Sequence, residues 1–231
     1  MVEERISSGI VGLDKSVEGG FKNGSINLVV GEAGSGKTTF AVQFLVEGIK
    51  KGEGGIYITF EEKKQKLYDD MLEFGWDLAK YEQMGLFKFL EYKPEQIKRV
   101  LVEGGGTIDA VITQTKAKRI VIDSITSFAL LFQDVLTQKE SSLALFELIN
   151  SWGCTAVLTA QSVHVGSDEM SATLQFEVDS IILLYHFKQR GERVRAIEIL
   201  KMRGTKTPEI TMKLEITSKG LVVHPQEVVT L

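Results

Sequence analysis

Residues 31–38 read Gly-Glu-Ala-Gly-Ser-Gly-Lys-Thr. The apolar run Ile26-Asn27-Leu28-Val29-Val30 leads into them, and Phe40, Ala41, Phe44, Leu45, Gly48 and Ile49 follow on one face of a helical pattern. Strand, glycine loop, lysine and helix, in that order, form the context of a phosphate-binding P-loop. Its glycines let backbone N–H groups turn inward around phosphate oxygens, and the helix N-terminus adds a favourable dipole. In such a loop Gly31, Glu32, Ala33, Gly34, Ser35 and Gly36 wrap the phosphates, with Thr39 in the first helical turn. Lys37 would reach the β- and γ-phosphates, for binding and for charge neutralisation during transfer, and the Thr38 hydroxyl would sit on Mg²⁺.

Outward from the loop, β-like runs alternate with helical stretches. Residues 55–60, 86–90, 119–123, 155–160, 178–187 and 194–202 read as strands, and residues 66–74, 94–102, 108–116 and 138–152 as helices. Strands separated by helices imply βαβ units and a mostly parallel, twisted sheet flanked by helices. The last three or four strands are joined by tight turns at 189–192 and 218–220, which predicts antiparallel additions at the C-terminal edge. No linker divides the chain, so the expectation is one domain over residues 1–231.

The 231 residues are 43% hydrophobic and 25% charged, a balance that lets a globular chain bury a full core. The lone cysteine, Cys154, excludes an internal disulfide framework and, at the head of an apolar run, reads as a buried structural thiol. The charged start Met-Val-Glu-Glu-Arg and the lack of an apolar stretch of about 18 residues predict a cytoplasmic protein without a membrane span. A net charge of −4 argues against a surface coated by nucleic acid, but not against a local basic groove. Such a groove would lie in residues 186–206, where Lys188, Arg190, Arg193, Arg195, Lys201, Arg203 and Lys206 outnumber Glu192 and Glu198.

Hydrolysis of a bound triphosphate needs a metal ligand, a residue to position or deprotonate water, and a cation for the γ-phosphoryl charge. Asp123 ends the strand Ile120-Val121-Ile122-Asp123, where a carboxylate faces the ligand crevice; it would hold Mg²⁺ directly or through water, or else cap the following loop. Glu61 and Glu62 end the strand after the P-loop helix, and one of them would act on the attacking water. Strand alternation predicts that only one of the two faces the phosphate. Gln161, after the strand 155–160, would sense the γ-phosphate. Lys201 and Arg203, two apart on a late strand, form a clamp of like charge aimed at a phosphoryl group, or else serve as solubilising edge charges.

Together these residues resemble the RecA superfamily, most closely its KaiC-like branch. The resemblance rests on residues 8–14 and 19–24 before the P-loop, Ala41-Val42-Gln43-Phe44-Leu45 with Gly48, Thr59-Phe60-Glu61-Glu62, Ile122-Asp123-Ser124 and Lys201-Met202-Arg203-Gly204-Thr205. It spans about residues 7–207 and implies a RecA-like ATPase, using ATP and Mg²⁺, with active sites between subunits of a hexameric ring or a filament. Lys201 and Arg203 would then act in trans on a neighbour's nucleotide, so a monomer should turn over slowly. The chain departs from the pattern in carrying one such domain, no identifiable Ser/Thr acceptor pair, and Thr205-Lys206-Thr207 in the segment where the family often has a His shortly after its Gly-Thr. Few residues precede the P-loop strand, too few for the N-terminal DNA-binding domain of RadA-type recombinases.

The primary expectation is a regulatory or DNA-processing oligomeric ATPase acting with an unknown protein partner. One alternative is a recombinase paralogue binding single-stranded DNA weakly through residues 188–195, since residues 162–173 hold no Lys or Arg. Another is a self-phosphorylating signalling kinase with acceptors such as Ser141, Ser142, Thr205 or Thr207. A third is a nucleotide-gated scaffold without turnover.

Overall fold

The computed structural model describes residues 4–102, 104, 106–132, 134–161 and 177–231. The chain begins with a two-stranded ribbon, β1 (Arg5–Ile6) and β2 (Phe21–Lys22), enclosing the short helix α1 (Leu13–Ser16). β3 (Ile26–Gly31) runs through the P-loop into α2 (Lys37–Lys50), followed by β4 (Gly54–Thr59), α3 (Lys64–Leu72), α4 (Leu78–Gln83) and β5 (Phe87–Glu91). Next come α5 (Pro94–Val102), α6 (Gly106–Thr115), β6 (Ala117–Asp123), α7 (Ile125–Ala129), α8 (Val135–Ser151) and β7 (Thr155–Gln161). The chain closes with β8 (Ser180–Gln189), β9 (Glu192–Met202), β10 (Met212–Thr217) and β11 (Gly220–Val228).

Nine strands form one sheet in the order β11-β10-β9-β8-β3-β7-β6-β4-β5. The six strands from β8 to β5 pair in parallel, and β9, β10 and β11 extend the β8 side antiparallel. Three antiparallel additions are therefore present. β8, which opens the tight-turn series, is itself parallel to β3. Residues 162–179 separate it from β7, a connection long enough for a parallel return rather than a hairpin.

Alternation along β3 sends Ile26 and Leu28 to one face of the sheet and Val29 to the other. The first face packs against α5 to α8 through Ile97, Ile108, Phe128, Phe146 and Ile149. The second packs against α2, α3 and α4 through Phe40, Phe44, Leu67, Met71 and Leu78. Asn27, buried mid-strand, is satisfied: its Nδ2 donates to Ala156 O at 3.0 Å and its Oδ1 accepts from Ser180 Oγ at 2.6 Å. Phe21 anchors the N-terminal ribbon edge-on to Phe44, at 5.7 Å between ring centroids, and a buried aromatic ring of this kind contributes about 2–3 kcal/mol.

Arg119, fully buried in β6, ties the layers together. Its Nε meets Glu53 Oε2 at 2.6 Å, and its Nη1 donates to Ser7 O and Phe44 O. Gly48 makes room for it, since a Cβ there would lie 2.3 Å from Arg119 Nε.

Candidate nucleotide site

The P-loop sits at the C-terminal edge of β3, where parallel α/β sheets form their ligand crevice. Gly34 and Gly36 hold φ of +75° and +103°, a left-handed backbone that costs glycine little. Gly31 is needed for space: a Cβ there would lie 2.5 Å from Ser35 Oγ and 2.6 Å from Leu184 O. No side chain caps the first turn of α2, so its leading N–H groups are left for ligand oxygens. The Ser35 hydroxyl is buried with no hydrogen-bond partner among the described residues. Lys37 Nζ folds back to donate to Gly31 O at 2.8 Å and Glu32 O at 2.9 Å. Burial lowers its pKa from the ordinary 10.5, against the opposing pull of Asp123 and Glu32.

Asp123, at the end of β6, receives three hydroxyls. Thr38 Oγ1 and Tyr57 Oη donate to its Oδ2 at 2.9 and 2.6 Å, and Thr159 Oγ1 donates to its Oδ1. Tyr57 comes from β4 and Thr159 from β7, the two strands flanking β6. Burial, then the charge and hydrogen bond of Asp123, push the Tyr57 phenol well above its usual range, so it remains a donor. Mg²⁺ takes hard oxygen ligands, commonly one or two carboxylates completed by phosphates and water. The Thr38 hydroxyl beside the Asp123 carboxylate fits that chemistry. Among the described residues no cluster of three or more His, Cys, Asp or Glu would hold a metal unaided.

Two cavities flank Lys37 and Thr38. The larger, about 540 Å³, is lined by Glu61, Glu62, Asp123, Ser124, Thr126 and Gln161, among others. Both glutamates line it, against the alternation argument. β4 ends at Thr59, and the N–H groups of Glu61 and Glu62 both donate to Thr59 Oγ1 in a bend, so strand alternation no longer applies. Glu62 pairs with Lys66 at 3.2 Å, whereas Glu61 has no side-chain partner among the described residues. Gln161 is exposed, and its N–H donates to Thr126 Oγ1 at 2.9 Å. The smaller cavity, about 330 Å³, lies on the other side and is lined by Gly36, Thr39, Arg195 and Ile216 as well as by Lys37.

Arg195 and Ile216 were not singled out for this site by their spacing in the sequence. The β8–β9 hairpin overhangs the sheet edge, and Arg195 Nε donates to Gly34 O at 3.0 Å. No local motif marks that contact, because it joins residues 161 positions apart.

Lys201 and Arg203 lie at the opposite edge. Lys201 pairs with Ile181, and its Nζ donates to Val178 O at 2.7 Å. Arg203, in the turn beyond β9, donates its N–H to Asp179 O, and Asp179 donates in turn to Ile26 O. Arg203 is thus level with the first residue of β3, five residues below Gly31, or about 17 Å at strand rise. The chain's own P-loop and its own cationic pair sit at opposite ends of the sheet. Of the hydroxyls considered as phosphate acceptors, Ser142 is buried and donates to Gln138 O, and Thr205 Oγ1 accepts from Arg5. The loop at 162–173 lies outside the described residues. Among the described residues no helix is long and apolar enough to cross a membrane.

The sheet order, the P-loop and the carboxylate two strands away define a P-loop ATPase fold of the RecA type. Within that class the chain belongs to the KaiC ATPase family, whose model matches residues 6–228. The circadian clock protein KaiC3 of Synechocystis is 33% identical over 237 residues, covering 99% of this chain and 47% of that protein. A UPF0273 protein of Pyrococcus horikoshii is 32% identical over 238 residues, covering 97% of this chain and 95% of its own length. The crystal structure of the KaiC-like protein PH0186 from P. horikoshii matches with a TM-score of 0.87 at 34% identity, covering 96% of this chain and 100% of that one. The chain therefore spans about half the length of KaiC3 and nearly all of the UPF0273 relative.

Proposed function

We propose that this chain, as one ATPase domain over residues 1–231, is an oligomeric Mg²⁺-dependent ATPase with a regulatory role, whose hydrolytic sites form at the seam between two copies. The observation that carries this reading is the separation of the P-loop from Lys201 and Arg203 by the full height of the sheet. Cations so far from their own phosphate loop are of use to a nucleotide only if it belongs to a neighbour, in a ring or a filament.

In this reading the loop 31–36 and the first turn of α2 hold the triphosphate of ATP, with the base in the smaller cavity against Ile216 and the γ-phosphate in the larger. Lys37 swings from the loop carbonyls onto the β- and γ-oxygens. Thr38 and Asp123 would hold Mg²⁺, which supplies charge neutralisation at the phosphates. Glu61, unencumbered, accepts the proton of the attacking water, and Glu62 is held by Lys66. Gln161 contacts the γ-phosphate, and the neighbour's Lys201 and Arg203 neutralise charge as the phosphoryl group leaves. The experiment is ATP turnover and particle size for the wild type beside Lys37→Ala and Glu61→Gln. Assembled particles with turnover lost in both variants are expected; equal rates in all three would remove the reading.

One observation favours an added capacity for single-stranded DNA. Lys188 and Arg193 are directly opposed across β8 and β9, an unfavourable juxtaposition, and neither they nor Arg190 has an acidic partner among the described residues. Arg195 is committed to the P-loop, so only the outer three cations are available to a polyanion. Weak, salt-sensitive binding lost in Lys188→Ala/Arg190→Ala/Arg193→Ala is the expected outcome, and retained affinity in that variant would exclude the hairpin.

A further inference from the structure

The turn that carries Arg203 is held by the N-terminal ribbon, a stretch that sequence reading treats only as a lead-in to the P-loop. Arg5 Nη1 in β1 donates to Thr205 Oγ1 at 2.8 Å and to Gly20 O at 3.3 Å. Its Nη2 donates to Glu18 Oε2 at 3.2 Å, while the other oxygen of Glu18 accepts from Lys206 N–H at 3.4 Å. Arg5 and Glu18 therefore grip both sides of the dipeptide that follows Gly204. Gly204 itself, at φ +62°, lies under Lys22 of β2: a Cβ there would be 2.6 Å from Lys22 Nζ.

The ribbon is in turn fixed to the P-loop helix. Phe21 packs on Phe40 and Phe44 of α2, the Ser7 hydroxyl donates to Glu47 of α2 at 3.0 Å, and Ser7 O accepts from buried Arg119. A continuous set of packed and hydrogen-bonded groups thus runs from α2 through the ribbon to the turn. The side chain of Arg5 is only 15% exposed, and its contacts to Thr205 and Gly20 are made partly out of water, whereas Glu18 is half exposed.

From these contacts we infer that Arg5 is a positioning residue for the reaction, setting from within one subunit the place of the Arg203 turn that the next subunit's nucleotide meets. The inference rests on the seam reading above. Arg5 touches no nucleotide; it acts through Thr205 and, with Glu18, through Lys206. Displacing a charge by about 1 Å costs on the order of 10²-fold in rate, so Arg5→Ala should lower turnover about that much while leaving ATP affinity unchanged.

Mixing variants tests this in the assembled protein. Arg5→Ala keeps a sound P-loop and presents a misplaced turn; Lys37→Ala has the opposite defect. Their equimolar mixture should regain about a quarter of wild-type turnover, because random assembly joins two sound halves at one seam in four. Arg5→Ala mixed with Arg203→Ala should regain nothing. A general structural defect in Arg5→Ala would damage its P-loop half as well and abolish the rescue. Wild-type turnover in Arg5→Ala, or no rescue by Lys37→Ala while Arg203→Ala is rescued, overturns the inference and leaves the seam reading standing. Absence of rescue for Arg203→Ala itself overturns both. Should Arg5→Ala fail to fold, Glu18→Gln takes its place with the same pattern at a smaller amplitude, and wild-type turnover in that variant overturns the inference.

Discussion

The two ends of β9 are built by different means. At one end Arg195 leans on the carbonyl of Gly34, part of a phosphate loop that is a single unbroken stretch shaped by its own glycines. At the other, the turn after Met202 takes its shape from Arg5, Glu18 and Asp179, drawn from remote parts of the chain. The first end is a preformed receptor. The second is a tool mounted on a bracket, and its mounting is where the proposed partnership between copies can be disturbed without touching nucleotide binding.

The largest expected effect separates the ends outright. Arg203→Ala should lower turnover by about 10³–10⁵-fold, as for cationic fingers in other NTPases, with ATP affinity in the isolated subunit unchanged. A weakened affinity, read by equilibrium binding of a fluorescent nucleotide, would mean that the cation serves its own site, and the contrast would collapse. A smaller effect is expected from Arg195→Ala, inside β9. Loss of a charged hydrogen bond at the P-loop should weaken ATP binding about tenfold. Because that defect lies in the same half as Lys37, mixing Arg195→Ala with Lys37→Ala should give no rescue, whereas mixing with Arg203→Ala should.

The smallest effect concerns protons. Burial lowers the Lys37 pKa, so its ammonium is lost at a lower pH than the ordinary 10.5. Phosphate binding restores the charged form, and ATP binding should take up protons as the pH rises towards that range and none at neutral pH. Calorimetry in buffers of different ionisation enthalpy reads this directly, and a proton-neutral reaction throughout the alkaline range would contradict it. The Arg203 end should contribute nothing to this uptake in an isolated subunit.

Much of this was legible because the relevant signals are local. The run 26–38 carries strand, turn and helix start together, and Asp123 is marked by the apolar residues just before it. The helices at 94–102 and 135–151 follow from their apolar spacing to within a few residues. α4 escaped because it is six residues long, although Asp77 caps it by accepting from Lys80 N–H. That Glu61 and Glu62 line one cavity was not legible, since where β4 stops depends on its neighbours and not on its own residues. Arg119 read as the opening of a strand and proved to be a buried clamp, for which the only hint was a glycine at position 48 that needed to be small.

What the sequence alone determined was the parallel α/β core, the P-loop and the strand-end carboxylate that lies beside Thr38, because glycine conformations, strand periodicity and a strand-end acid act over a few bonds. Only the tertiary structure decided which cation lies by the chain's own phosphate loop and which lies far from it. Arg195 lies in β9 and Arg203 in the turn just beyond it, eight residues on, and strand rise sends them to opposite edges of the sheet, one over the chain's own loop and one away from it. Distance through space, set by register and by the contacts of Arg5, is not written in any short stretch of residues.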